Sequence, residues 1–391
     1  MSRQTRESVI LAEVERIGRD VVKPVADTVD REARFPHEAI DALKQARVLS
    51  AGVSQELGGA GCDVGALSRI CTSLARHCGS TALIVAMHFI KVESVLRFGG
   101  EHEEFRGYLR ELAKEQRLVA SVTSEVGIGG DLRRSDAALE PSGTGFRLVK
   151  EGSCVSYGAH ADDLILTCRR TGEASASDQV LVLARRGDFD LEQRGDWDAL
   201  GMRGTCSPPF TISAQVAAWQ VFNVPFSDIA ARSMVPSTHI LWSSVWLGIA
   251  KDAVARARAQ IRQRRRGGTG RNAAAARRLA HTERRLQLMR SGIESLIVEF
   301  LALSEEEGDE GSPSLGFGLR VNQLKLNSSE LAVEIVSNAL LACGFSGYLN
   351  DSTNSITRQL RDIYSAPLMI GNDRVLEHNA ALELISGASE P

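Results

Sequence analysis

The spacing of apolar and polar positions divides the chain into three zones. Up to about residue 117, apolar residues recur every three or four positions: Val9, Ile10, Val14 and Ile17, then Ile40 and Leu43, then Leu67, Ile70 and Leu74. That period predicts helices with one buried face. Pro36 stands where a helix can begin, and Gly58-Gly59-Ala60-Gly61 separates two helical runs. Between 118 and 230 the pattern shortens to apolar runs at 118–122, 146–149, 163–167, 179–184 and 210–213, broken by Gly, Ser, Asp and Pro. These predict an antiparallel sheet domain, with T-G-E-A-S-A-S-D (171–178) as a hairpin loop. From 231 to 391 the helical period returns and predicts a C-terminal bundle. The expected organisation is therefore an all-α domain (1–117), a β-barrel or sheet domain (118–230) and a helical bundle (231–391). This is an α+β order, not the strand–helix alternation of a doubly wound nucleotide-binding fold.

Length and composition add bounds. A chain of 391 residues is long enough for two or three domains. Apolar residues at 43% and charged residues at 24% exclude bulk disorder and collagen-like repeats. Aromatics are only 5%, so Ala, Leu and Val must fill most of the core. The net charge of −3 argues against a general polyanion binder. The seven cysteines (62, 71, 78, 154, 168, 206 and 343) form no C-x-x-C pair, which reads as buried thiols in a reducing compartment and not as a disulfide frame or metal site. The N-terminus lacks a signal-peptide layout, and the longest apolar stretches, around 83–90 and 239–250, fall short of the ~20 residues that span a bilayer. A cytoplasmic protein with no membrane partner is expected.

The glycine-rich G-I-G-G-D (127–131) is neither a Walker loop nor a G-x-G-x-x-G opening a helix, so it does not point to ordinary dinucleotide binding. It takes its meaning from an ordered set of segments. These are F-P-H-E-A-I-D-A-L-K-Q-A-R-V-L-S-A-G-V-S-Q-E-L-G-G-A-G (35–61), S-V-T-S-E-V-G-I-G-G-D (121–131), L-G-M-R-G-T (200–205), N-V-P-F (223–226), K-L-N-S-S-E-L-A-V-E-I-V-S-N-A-L (325–340), C-G-F-S-G-Y (343–348) and R-Q-L-R-D (358–362). In this order and at this length the chain resembles the acyl-CoA dehydrogenase flavoproteins, over about its whole extent. The resemblance implies an N-terminal helical domain, a central antiparallel β-domain and a C-terminal four-helix bundle, with FAD between the last two. It also implies α,β-dehydrogenation of an acyl thioester: a carboxylate removes the α-proton while hydride leaves the β-carbon for the flavin.

Carried over residue by residue, the resemblance places Val122, Thr123 and Ser124 at the flavin's pyrimidine edge and Gly129 and Gly130 in the adjoining loop. Ser156 is the hydroxyl facing N5, and Cys154 stands where a tryptophan usually stacks on the ring. Glu125, beside that loop, is expected to be structural. The family's catalytic turn aligns with Met369-Ile370-Gly371-Asn372, so Ile370, which cannot accept a proton, holds the base position. The family's alternative base position falls near Thr238, again not an acid. Asp373 is then the nearest candidate base, against the plainer reading of a helix-capping residue, and Asn372 replaces the turn threonine. His88, on an otherwise apolar helix, is a second candidate, facing the substrate as histidines do in oxygenase relatives; a satisfied core histidine is the alternative.

Two further cofactor contacts are altered. The family's Gln-x-x-Gly-Gly reads Leu341-Ala342-Cys343-Gly344-Phe345, keeping Gly344. The dimer motif has become Arg264-Arg265-Arg266-Gly267-Gly268, in which Arg266 keeps charge for a pyrophosphate. The segment 256–290 carries twelve arginines, but no aromatics interleave them, which argues against nucleic acid. The implied partners are an acyl-CoA or acyl-carrier-protein substrate, an electron acceptor, and further copies of the chain in a homodimer or homotetramer. Two alternatives stay open: a reduced-flavin monooxygenase of the same fold, needing no α-proton base, and a non-catalytic or nucleic-acid-binding relative.

Overall fold

The structure, a computed structural model, describes residues 2–100, 102–128, 131–266, 273–306 and 313–386. The N-terminal region is helical: α1 (Arg3–Ile17), α2 (Lys23–Glu32), α3 (His37–Gln45), α4 (Val64–Ala75), α5 (Gly79–Gly99) and α6 (Glu103–Glu115). Asp63 caps α4, its Oδ1 accepting the Ala66 N–H at 2.8 Å, which satisfies a donor the first turn would otherwise leave open. The helix α5 departs from the sequence expectation. It is 21 residues long and apolar enough to match a bilayer, but 89% of its most apolar window is buried inside the protein, where it packs on α4, α6 and the first strand.

The central region holds β1 (Val119–Val122), β2 (Glu140–Ser142), β3 (Gly145–Gly152), β4 (Asp163–Arg169), β5 (Gln179–Arg185), β6 (Phe189–Gln193) and β7 (Phe210–Ala217). One sheet, ordered β2-β3-β7-β6, is antiparallel throughout. The other, β1-β4-β5, is mixed: β1 pairs parallel to β4, Val119 opposite Asp163 and Val122 opposite Leu166. The expected antiparallel domain is found, with this one parallel pairing as its exception. The chain passes through β2 and β3 of the other sheet before it returns as β4, so no tight turn has to reverse it beside β1. Strands β4 and β5 are buried at nearly every position, whereas β3 alternates. The first pair is therefore covered on both faces and the second on one.

The C-terminal region comprises α7 (Phe226–Ile229), α8 (Val235–Arg266), α9 (Ala273–Glu306), α10 (Leu315–Cys343), α11 (Phe345–Tyr348), α12 (Thr357–Ile363) and α13 (Asn372–Ser386). Helices α8, α9 and α10 pack pairwise and α13 lies along α10, giving the bundle. The bundle also joins the N-terminal helices, because α4 and α5 pack on α8. Gly248 permits the α4–α8 approach: a Cβ there would stand 2.5 Å from the Thr72 carbonyl oxygen. All seven cysteines are free; Cys154 is exposed and Cys206 half-buried, which corrects the expectation that the set is buried.

Candidate active site

A cavity of about 770 Å³ opens where the three regions meet, within the roughly 300–1,000 Å³ range of small-molecule and cofactor sites. One wall is polar and comes from the β-layer: Ser121, Thr123, Ser124, Ser156, Thr205 and Ser207. A second wall is apolar and comes from one face of α5, where Leu83, Met87, Ile90 and Lys91 recur at helical spacing, and from Met234, Thr238 and Trp242 before and on α8. A third is the segment from Tyr364 to Arg374, including Ile370, Gly371 and Asp373.

Hydrogen bonds hold the polar wall rigid. Ser124 Oγ donates to the Cys154 carbonyl at 2.8 Å and accepts the Cys154 N–H at 3.2 Å, fastening the ends of β1 and β3 together. Ser207 Oγ donates to Ser156 Oγ at 2.9 Å, so the Ser156 hydroxyl proton is left for a ligand. Tyr157, fully buried, donates from its hydroxyl to the Val119 carbonyl (2.9 Å) and from its N–H to the Thr205 carbonyl (2.7 Å). Behind this wall Lys150 Nζ donates to Glu125 Oε2 (2.9 Å) and to the Thr167 carbonyl (2.7 Å), and Glu125 also accepts from Ser135 Oγ and the Ala137 N–H. Burial pushes the Glu125 carboxyl up, but the lysine and these donors outweigh it and hold it below its usual value. Glu125 thus anchors the loop beside the cavity.

Four residues other than glycine around the cavity take left-handed backbone: Tyr157 (φ 44°), Met202 (φ 52°), Cys206 (φ 44°) and Ile370 (φ 51°). For a β-branched residue this conformation is an outlier, held only because the surroundings impose it. Two sequence motifs meet here. Gly201 lies directly against the Arg361–Asp362 backbone, where a Cβ would collide with the Arg361 carbonyl, and Asp362 Oδ1 accepts the Met202 N–H at 2.7 Å.

The residues singled out from sequence separate clearly. Thr123, Ser124, Ser156 and Asp373 line the cavity. Val122 is fully buried and its side chain is core. Gly129 and Gly130 lie outside the described residues. Asn372 does not line the cavity; its Oδ1 accepts from Lys325 Nζ and Ser329 Oγ, turning it toward α10. Gly344 and Arg266 also stand outside the lining. Arg266 is exposed at the end of α8, and it is Arg264 that reaches the glycine turn, donating to the Cys343 carbonyl at 2.9 Å. The expectation that His88 faces the substrate is corrected. It is fully buried, its Nε2 pairs with the Leu49 carbonyl (2.7 Å) and its Nδ1 with the Val119 N–H (3.1 Å). Burial lowers its pKa to about 4, so it is a neutral, satisfied core histidine. Met87 and Lys91, not His88, share the cavity-facing side of α5, because a helix turns each successive side chain by about 100°.

Sequence reasoning missed Lys91, Trp242, Trp197 and Arg361, all in the lining. The one available signal was Lys91 itself, a lone charge in the run A-L-I-V-A-M-H-F-I-K-V. Asp373 is exposed at the mouth, in the first turn of α13, and is the only carboxylate among the described lining residues. A row of hydroxyls facing an apolar slot suits a flat heterocycle with one polar edge, so the residues present fit a flavin ring. The exposed Phe345 stays clear of the space, and Ile370 borders it without filling it.

Comparison with known proteins agrees with this arrangement. Residues 5–116 match the family model of the acyl-CoA dehydrogenase N-terminal domain, and residues 231–384 match that of its C-terminal domain. The chain is 24% identical to the short-chain specific acyl-CoA dehydrogenase of Clostridium acetobutylicum, over 95% of this chain and 96% of that one. It is 22% identical to the cyclohex-1-ene-1-carbonyl-CoA dehydrogenase of Geobacter metallireducens, over 93% and 96% of the two chains. Two solved structures share the fold: FMN-bound TdsC from Paenibacillus sp. A11-2 (TM-score 0.84, 19% identity, 96% and 97% of the two chains) and butyryl-CoA dehydrogenase from Megasphaera elsdenii (TM-score 0.82, 18% identity, 97% and 98%).

Proposed function

The chain belongs to the acyl-CoA dehydrogenase superfamily, and from that premise we propose that it introduces an α,β double bond into an acyl thioester carried by CoA or an acyl-carrier protein. It is an oxidoreductase of the acyl-CoA dehydrogenase type with a flavin cofactor, FAD being the form typical of the family. The observation that carries the finer reading is the pairing, in one cavity, of a hydroxyl wall and an apolar wall with Asp373, the one carboxylate among the described lining residues, at the mouth.

In this reading Thr123, Ser124 and Ser156 hold the flavin's polar edge, and Leu83, Met87, Met234 and Trp242 receive the acyl chain and exclude water. The α-carbon gives its proton to Asp373, the β-carbon releases hydride, and the carbon–carbon double bond forms. The flavin, when bound, supplies the two-electron acceptor for that hydride, and a separate acceptor reoxidises it. Anaerobic addition of an acyl-CoA to the flavin-loaded enzyme is expected to bleach the flavin band. Asp373→Asn is expected to abolish bleaching while leaving the flavin bound, and unchanged bleaching in that variant would remove Asp373 as the base.

One observation favours a second reading. Ile370, an aliphatic residue in left-handed backbone, occupies the turn where the resemblance places the base. A monooxygenase that consumes reduced flavin and dioxygen needs no α-proton base, and oxygen uptake dependent on added reduced flavin, with no bleaching by acyl-CoA, would select it. Either reading includes a homodimer or homotetramer. The exposed apolar corner formed by Leu341, Phe345 and Tyr348 supports self-association, and light scattering tests it.

A further inference from the structure

Lys91 is a buried cation with little to hold it among the described residues. It lies in the middle of α5, is only 4% exposed, and lines the cavity between Ile90 and Met234. Its Nζ has one hydrogen-bond partner among the described residues, the thioether of Met234 at 2.9 Å. A thioether is a weak acceptor and an ammonium carries three donors, so most of this group's bonding capacity is unmet. By contrast Lys150, equally buried, is bonded to Glu125 and Thr167.

Among the described residues no carboxylate pairs with the charge. Glu93, two residues on, accepts from Ser237 Oγ at 2.6 Å, and burial pushes its carboxyl up to about 7 against the pull of Ser237 and Arg97; Asp373 is in another wall. Burial alone lowers the Lys91 pKa, to about 7, with no acidic neighbour to raise it. Trp242, in the same cavity lining, has a buried indole N–H with no acceptor among the described residues. An ammonium with only a thioether for a partner and an indole N–H with none, in an otherwise apolar wall, describe the recognition of something other than the described residues. A simple alkyl group would leave both unsatisfied, and burying an unpaired ammonium is among the costliest things a cavity wall can do.

We propose that Lys91 receives an anionic group, a carboxylate, on the acyl portion of the substrate, so that this enzyme's substrates are monothioesters of dicarboxylic acids and not plain fatty acyl thioesters. The proposal rests on the acyl-thioester reading above and narrows it. The carboxylate sits on the α5–α8 side of the cavity, with Lys91 as its counter-charge. The thioester end is left to the walls that carry Ser156 and Asp373.

The test uses the flavin-loaded enzyme and matched pairs of CoA thioesters: succinyl against butyryl, adipoyl against hexanoyl, and suberoyl against octanoyl. Apparent dissociation constants come from thermal-shift titration, which needs no turnover, and bleaching rates are read alongside. The expected result is that one carboxylate-ended member binds at least roughly ten-fold tighter than its methyl-ended partner. In Lys91→Met that ratio falls to about one, while the unliganded enzyme melts at the same or a higher temperature because an unpaired buried charge is gone. Lys91→Gln repeats the measurement should the methionine variant fail to fold. Methyl-ended thioesters binding as well as or better than their partners overturns the carboxylate proposal and leaves the thioester reading standing. A preference that survives in both variants overturns the role of Lys91. Failure of every thioester to bind overturns both readings together.

Discussion

Asp362 accepts the backbone N–H of Met202 at 2.7 Å across 160 residues of chain, joining the start of the last helices to the loop that closes the β-layer. The carboxyl is 2% exposed, and burial raises its pKa from the ordinary 3.8 to about 6, against the pull of Arg358. Its folded value lies above its unfolded one. Its contribution to stability is therefore full below about 3.8 and is lost as the pH rises through about 6. Asp362→Asn keeps an acceptor for Met202 without the charge. Between acidic and neutral pH the wild type is expected to lose on the order of 2 kcal/mol relative to this variant, measured as the pH dependence of the difference in urea midpoints.

Lys150 and Glu125 form a buried pair behind the hydroxyl wall, 0% and 5% exposed on their side chains. Lys150→Met leaves the Glu125 carboxylate with hydrogen bonds but no counter-charge, and is expected to cost about 3–5 kcal/mol. Lys150→Met with Glu125→Gln should recover much of that loss. A double-mutant cycle by denaturant unfolding checks it, and a double variant no more stable than the single one would deny the coupling.

His88→Leu removes the acceptor for the Val119 N–H and the donor to Leu49. It is expected to destabilise by about 2–4 kcal/mol with turnover per bound flavin unchanged. The imidazole's folded pKa of about 4 lies below the ordinary 6.5, so its stabilising effect is present above 6.5 and lost as pH falls toward 4. Melting curves of the leucine variant should lack that acid-side slope. A fall in turnover at full flavin occupancy would return His88 to the chemistry.

Ile370 holds φ at 51°, where an L-residue with a branched Cβ is crowded against its own backbone. Ile370→Gly relieves that and is expected to raise stability by about 1 kcal/mol, read as an increase in melting temperature. A loss would mean that apolar packing at the cavity outweighs the backbone relief.

Several elements were legible from local pattern. The runs at 163–167 and 179–184 form β4 and β5, joined across 171–178, because their continuous apolar character answers burial on both faces. β2 and β6 escaped: β2 is three residues containing Pro141, and β6 is half exposed, so neither carries an apolar run. Within the site, Thr123, Ser124 and Ser156 were placed by the family resemblance, and the structure puts all three in the cavity lining. His88 does not reach it, because one step along a helix changes which neighbours a side chain meets.

The chain's local periodicities were enough to determine the helix–sheet–helix order, and the motifs at 200–205 and 358–362 to mark segments of consequence, since both depend on residues close in sequence. Tertiary structure alone decided that β1 runs parallel to β4, that those two motifs lock together through Gly201 and Asp362, and that α5 offers Lys91 to the cavity while burying His88. These are contacts between segments tens to hundreds of residues apart. They follow from which faces shed most water on packing, a quantity that belongs to the assembled core and not to any one stretch of it.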